Sequence, residues 1–339
     1  MKNSYKQYGM KKLLIGLGIM SCFIGESMAQ NISQYTMWNQ NHYLVNPAAA
    51  GNQNYFDAAL GFRRQWAGVK DAPRTFYATA HSVLNRPKTH ERSALRISSL
   101  SSNGVYKKSK SLSKPMVKHA LGGSVISSEF GAFETNEAML TYALHLPLYK
   151  DISLSFGLSG GLNNFGFNQS KATVIQENDP TYNAYIAGEN ANQLNINAGT
   201  YLYSDKFFFG YSAQQLLQNE LRLANIATNP DAGIVNFEIY HYVMGGYNFD
   251  LTNDLRLSPN LLFKQLGNNP ASFDINATLT YKQFIYGGLT YRSEDAISLM
   301  GGIQINHLLR MGYAYDYTTS DLNERSNGSH EIFLGMTLF

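Results

Sequence analysis

Histidines are the side chains best able to bind a metal or move a proton, and the eight here are scattered: His42, His81, His90, His119, His145, His241, His307 and His330. A helical zinc site needs two of them one turn apart, and no pair has that spacing. His330-Glu331 lacks the second histidine of a zinc-protease helix. The sole cysteine, Cys22, sits in the amino-terminal leader. An exported chain without it has no thiol for a disulfide or a thiolate metal site. Gly122-Gly123 and Gly160-Gly161 fall inside strand-like runs, where glycine lets a sheet bend or pack closely, so they are not phosphate cradles. There is no Walker loop and no G-x-S-x-G elbow. His81 and Ser82 are neighbours in a strand pattern, so their side chains face opposite sides and cannot pair. No cofactor is expected. The one enzymatic reading left is a membrane-embedded hydrolase assembled from distant strands. Shape and surface carry the expected function.

Export is written at the amino terminus. Lys2, Lys6, Lys11 and Lys12 precede an apolar run from Leu13 to Ile24 that is too short to cross a bilayer as a helix. Ser27-Met28-Ala29 places small residues where a signal peptidase reads, so residues 1–29 are expected to be removed and the mature chain to begin at Gln30. Ile19-Met20-Ser21-Cys22 offers the alternative of a loose lipobox, in which Met20 fits poorly. The leader's four lysines against Glu26 account for the whole formal charge of +3, so the mature chain balances near zero. Within it charge is segregated. Residues 86–118 hold nine Lys and Arg against Glu91 alone. This Ser- and Lys-rich stretch reads as a solvated flexible insertion, or as a contact to an acidic partner or cell-wall polymer. Ser93 to Leu100 could instead form an extra strand. In an exported envelope protein, nucleic acid is not an expected partner.

The elements are strands. No later segment has 18 uninterrupted apolar residues, so no membrane helix is expected; a barrel hides its membrane signal in alternation. Near the carboxy terminus Ile297, Leu299, Ile303 and Ile305 fall on one parity, Ser298, Gly302, Gln304 and Asn306 on the other. Leu309, Met311, Tyr313, Tyr315 and Tyr317 then oppose Arg310, Gly312, Ala314 and Asp316. Ile332, Leu334, Met336 and Leu338 end the chain before Phe339. Alternation of this length marks strands with two different environments on their faces. It suits an outer-membrane barrel closing on itself, or the last strand of a soluble sandwich. Upstream, Ile152, Leu154, Phe156, Leu158 and Leu162 oppose small polar residues, and so do Phe273, Ile275, Leu279 and Tyr281. Such a polar face fits a barrel lumen, and 23 Tyr with 19 Phe would furnish aromatic girdles at both interfaces.

The periodicity predicts about fourteen strands, at 54–64, 74–85, 119–129, 134–147, 151–167, 193–204, 206–213, 236–249, 254–266, 271–282, 284–292, 296–306, 307–318 and 329–339. The connections alternate in kind. Those at 150–151, 204–205, 250–254, 282–283 and 306–307 are very short; those between them include long loops at 168–192 and 214–235. A soluble sandwich has no reason to sort loops by parity, whereas an outer-membrane barrel does, with its short turns in the periplasm. Both chain ends are then expected on the short-turn side. The basic connection 86–118 breaks the rule. The fold expected is all-β: a transmembrane antiparallel β-barrel over 54–339, with an extended lead-in at 30–53.

Several segments in order carry a resemblance. Asn46-Pro47-Ala48-Ala49-Ala50-Gly51, Arg63-Arg64-Gln65-Trp66-Ala67-Gly68, Pro73 and His81 open it; Gly122-Gly123, Ser128 and Gly131 continue it. Gly301 to Asn306, Gly312 to Tyr317 and Ser329 to Ile332 close it. Together they resemble the PorP/SprF family of the type IX secretion and gliding machinery in Bacteroidetes outer membranes. The insertion 86–118 departs from that pattern. The resemblance implies a non-enzymatic outer-membrane barrel whose partners are periplasmic secretion components and a secreted cargo, an adhesin with a carboxy-terminal sorting domain. The barrel would deliver that cargo or hold it at the surface. A diffusion pore or hydrophobic-solute transporter of the same shape is the competing class.

Two sets of site residues follow. Asn46, Pro47 and Gly51 are expected to form a fixed turn, with Arg63 and Gln65 on one strand face. If that face is the lumen, Arg63 either tethers the lead-in as a plug or merely lines a wet channel. Trp66, at the strand end, suits the membrane interface. The outward loops offer Tyr182, Tyr185 and Ile186 in one, and Leu216, Leu217, Leu221 and Leu223 in the other. These either grip cargo or fold back on themselves.

Overall fold

In the computed structural model the described residues are 34–84, 116–149, 151–172, 182, 190–218, 220–222, 234–236 and 238–338. The leader with its lipobox, the insertion as far as 115, the strand considered at 93–100, and Tyr185, Ile186, Leu223 and Phe339 lie outside them.

Among the described residues fourteen strands form the barrel. In chain order they are β1 (Phe56–Arg64), β2 (Arg74–Val83), β3 (Lys118–Phe130), β4 (Phe133–Tyr149), β5 (Ile152–Phe167), β6 (Asn190–Tyr203) and β7 (Phe207–Gln214). The second half comprises β8 (Tyr240–Tyr247), β9 (Leu255–Leu266), β10 (Ser272–Tyr281), β11 (Ile285–Arg292), β12 (Ala296–Gln304), β13 (Leu309–Thr318) and β14 (Ser329–Leu338). Each pairs antiparallel with its sequence neighbours. The ring closes where β14 meets β1, in a register running from Phe56 opposite Leu338 to Arg64 opposite His330. Closure removes every strand edge, which hydrocarbon demands because it offers no partner for an unpaired N–H or C=O.

Alternation sorts the faces. In β1, Asp57, Ala59 and Arg63 are buried inside, while Leu60 and Phe62 stand exposed outside. Leu140, Leu158, Leu194, Leu289 and Leu299 belong to the same outer band. An apolar band of this kind is the surface that hydrocarbon covers.

The strands differ from the periodicity reading at their ends. The eighth is shorter than 236–249; it breaks after Tyr247, and Phe249–Asp250 then pairs with β9. The stretch read as an irregular loop at 214–235 holds a small ladder, 220–222 against 234–236. The turn read at 306–307 spans 305–308, where the Asn306 side chain accepts from the backbone N–H groups of Leu308 and Leu309. Asn ties itself to nearby backbone in this way and so outcompetes the strand. One expectation is corrected outright. Phe56 and Leu338 do lie at the short-turn end, but Gln34 lies at the opposite end, beside Gln65 and Arg292.

Candidate functional site: a lumen occupied by the amino-terminal segment

Residues 34–53 run through the barrel from the long-loop end to the short-turn end. Three short 3-10 turns, Trp38–Gln40, His42–Leu44 and Pro47–Ala49, satisfy part of the segment's backbone internally, and the wall supplies partners for other groups. The lumen's hydrophobic core is built on this segment. Met37, Trp38, Val45, Ala48 and Ala49 are buried against Tyr77, Tyr201, Met244, Met300 and Phe333 of the wall. A fully buried side chain such as Met37 contributes about 1.5–3 kcal/mol relative to exposure.

At the long-loop end a chain of charges crosses six strands. Glu331 on β14 meets Arg63 on β1 at 3.4 Å, and Arg63 meets Asp316 on β13 at 2.7 Å. Asp316 meets Arg292 on β11 at 3.2 Å, Arg292 lies 3.4 Å from Asp274 on β10, and Asp274 meets Lys264 on β9 at 2.8 Å. Signs alternate along the whole line, and no side chain in it is more than 4% exposed. Three cations answer the three anions of the line, and a fourth carboxylate, the more exposed Asp295, also meets Arg292 at 3.1 Å. Burying one such charge alone would cost several kcal/mol.

The lead-in is tied into this chain. The Thr36 hydroxyl accepts from Arg63 Nη1 at 2.7 Å and from Arg292 Nη2 at 3.1 Å, and donates to Asp316. Its backbone N–H donates to Glu331 at 2.6 Å, and Tyr77 donates to the same carboxylate at 3.0 Å. Gln34 accepts from Arg292 and from Gln65. Arg63 and Gln65 are therefore both turned inward and both reach the lead-in.

Midway, Asn41 donates to Thr79, and the Tyr43 and Thr141 hydroxyls share a 2.7 Å hydrogen bond. The His42 Nδ1 lies 2.7 Å from the Tyr201 hydroxyl. Nearer the short-turn end Asn46 works in two directions. Its Oδ1 accepts from the Ala48 N–H and caps the Pro47 turn, while Nδ2 donates to the carbonyls of Thr200 and Tyr211. Pro47 suits the first turn position because its missing N–H is not needed there. The wall yields space at Gly157 and Gly199: a Cβ on the first would collide with the Ala48 backbone and on the second with Asn46 Oδ1. Ser155 donates to Ala48 O, Ser212 to Val45 O and His145 to Ala50 O. Gly51, at a positive φ of 73°, turns the chain out, and its N–H donates to His81.

Trp66 stands outside this group, half-buried at the rim, its ring 6.3 Å edge-on from Phe130. Of the outward-loop residues, Tyr182, Leu216, Leu217 and the backbone of Leu221 are described. The Tyr182 ring sits 6.1 Å from Phe167, Leu221 lies in the small ladder opposite Val235, and Leu216 is half-buried. Leu217 is 43% exposed. Arg292, Asp316, Glu331, Asp274, Lys264 and Thr36 escaped the sequence reading. Their signal was present: each of the five charges occupies a polar-parity position near the same end of its strand.

A closed antiparallel ring of fourteen strands, apolar outside and polar within, defines an outer-membrane β-barrel. The model of one family, the type IX secretion system membrane protein PorP/SprF, matches residues 27–336. The chain belongs to that family, as its ordered motifs indicated. No curated protein matches it. Solved structures to which it is similar include the Ralstonia pickettii toluene transporter TbuX, at 8% identity over 87% of this chain and 92% of that one, with a TM-score of 0.47. A Pseudomonas aeruginosa FadL homologue is 10% identical over 86% and 92%, with a TM-score of 0.45. Acinetobacter baumannii Omp33 is 8% identical over 85% and 99%, with a TM-score of 0.42.

Proposed function

We propose that this barrel is a non-enzymatic part of type IX secretion that helps deliver or anchor a secreted cargo protein at the cell surface, not a diffusion pore. The observation that carries this reading is the occupied lumen. Thr36 is bound by four wall residues at one end, and Asn46 to Gly51 are bound by five more toward the other. A segment held this way obstructs solute flow and stiffens the wall. What remains for work is the surface of the long loops, in which Leu216 and Leu217 supply apolar side chains that an interface core requires. The cargo would be an adhesin bearing a carboxy-terminal sorting domain, and periplasmic secretion components would meet the short-turn end.

The test removes residues 180–188 or 216–223. Either deletion should release adhesin into the medium while the barrel's level in the outer membrane stays normal. Adhesin retained on the surface by both deletion strains would exclude the outward loops as the grip and leave the basic 86–118 segment as the next region to remove.

A further inference from the structure

The short-turn end holds a cavity of about 310 Å³ beneath the lead-in, at the lower edge of the size range of small-molecule sites. We propose that it is a binding site for the neutral sugars of a glycan. One wall is aromatic. The buried Tyr201 stacks on Tyr203 at 5.5 Å and on Phe208 at 5.9 Å, so the half-buried Tyr203 and Phe208 rings are the ones that face the cavity, and Phe208 lies 4.3 Å from the His42 ring. The opposite wall is charged but self-neutralising: Arg310 grips Asp57 through two hydrogen bonds, 2.7 and 3.0 Å. The lead-in adds the amides of Gln40 and Gln53, which have no side-chain hydrogen bond among the described residues. His81 accepts the Gly51 N–H at Nδ1, so its proton sits on Nε2, and its ring lines the same cavity.

These groups select a chemistry. No net charge faces the cavity from the pair, so an ionic ligand gains nothing there. Side-chain amides both donate and accept, as sugar hydroxyls do. Aromatic faces carry negative potential and suit the C–H face of a pyranose ring. Peptide ligands ordinarily use a free sheet edge, a helix groove, a proline-ready aromatic groove or a charge cluster. The closed ring offers no edge, and Arg310 and Asp57 answer each other. The site is independent of cargo anchoring, because it lies at the other end of the barrel from the long loops.

The full-length protein in lipid nanodiscs should bind chitotriose or maltotriose saturably in calorimetry. Phe208→Ala and Gln53→Ala should each weaken that binding at least fivefold while heat-modifiable gel migration reports an intact barrel; Gln53 is exposed and outside the core. Two sources supply such sugars. Displacement by solubilised cell-wall glycan would identify one, and displacement by lipopolysaccharide core oligosaccharide the other. The proposal fails if neither trisaccharide binds saturably, or if both folded variants bind as the parent does. It fails equally if a muropeptide binds and the trisaccharides do not, since the stem peptide would then be what is read.

Discussion

Arg63 stands where β1, β13, β14 and the lead-in meet, bonded to Asp316, Glu331 and Thr36 at once. Replacing it with alanine leaves two buried carboxylates short of a cation, and the loss of one partner from such a group costs about 3–5 kcal/mol. Arg63→Ala should therefore lower the barrel's unfolding free energy by that order in denaturant titration. It should also raise single-channel conductance in planar bilayers, because Thr36 loses its shortest side-chain tie to the wall. A conductance already large in the parent and unchanged in the variant would remove the tethering role. The double variant Arg63→Met with Glu331→Met removes the terminal pair of the charge chain together and leaves the contacts of Arg292 with Asp316, Asp274 and Asp295, and of Lys264 with Asp274, in place. It should be less destabilised than Arg63→Ala alone, a non-additivity expected of groups in one network.

Among the elements, β5 and the lead-in are fitted to each other at Gly157, where the wall backbone lies directly against Pro47 and Ala48. Gly157→Val should expel that turn and raise conductance without touching any charge. Gly160→Val is the matched control, since a Cβ there meets nothing within 4 Å. Equal conductance in the two variants would mean that the Pro47 turn does not seal the lumen. The turn's stability comes from fit on both sides: an Asn46 cap within the segment, and Ser155 and Ser212 hydroxyls from two strands without.

At the scale of the molecule the ring fixes which connections share an end. The strand ends that bound 168–189 and 215–239 share one end of the barrel, opposite turn 204–206 and the strand ends that bound 84–117. The usual outer-membrane arrangement, short turns in the periplasm, predicts that the two long loops face outside the cell. Leu217→Cys should then react with an impermeant thiol reagent on intact cells and Asp205→Cys should not, in a background where Cys22, the sole cysteine of the sequence, is replaced by serine. Labelling of Asp205→Cys alone would reverse the orientation. The same arrangement sets what each end can do. The long-loop end carries the irregular surface and the charge chain beneath it; the short-turn end carries the aromatic and amide cavity.

Much of this was fixed by residues that need only their neighbours in sequence. A two-residue period obliges Ile297, Leu299 and Ile303 to share a face wherever the strand ends up, so strands, facing and barrel class are local facts. The family motifs are local too. Strand ends such as Tyr247 and the small ladder at 220–222 were less legible, because turn hydrogen bonds and pairing partners decide them. What only the tertiary structure decided is the interior. The sequence places Arg63, Arg292, Asp316, Glu331, Asp274 and Lys264 on polar-parity positions of six separate strands, up to 268 residues apart. Closing the ring brings them to one level of one end, where low dielectric makes each charge depend on its neighbours. No periodicity reveals that Thr36 sits among them, because the lead-in has no period of its own and takes its path from the wall it fills.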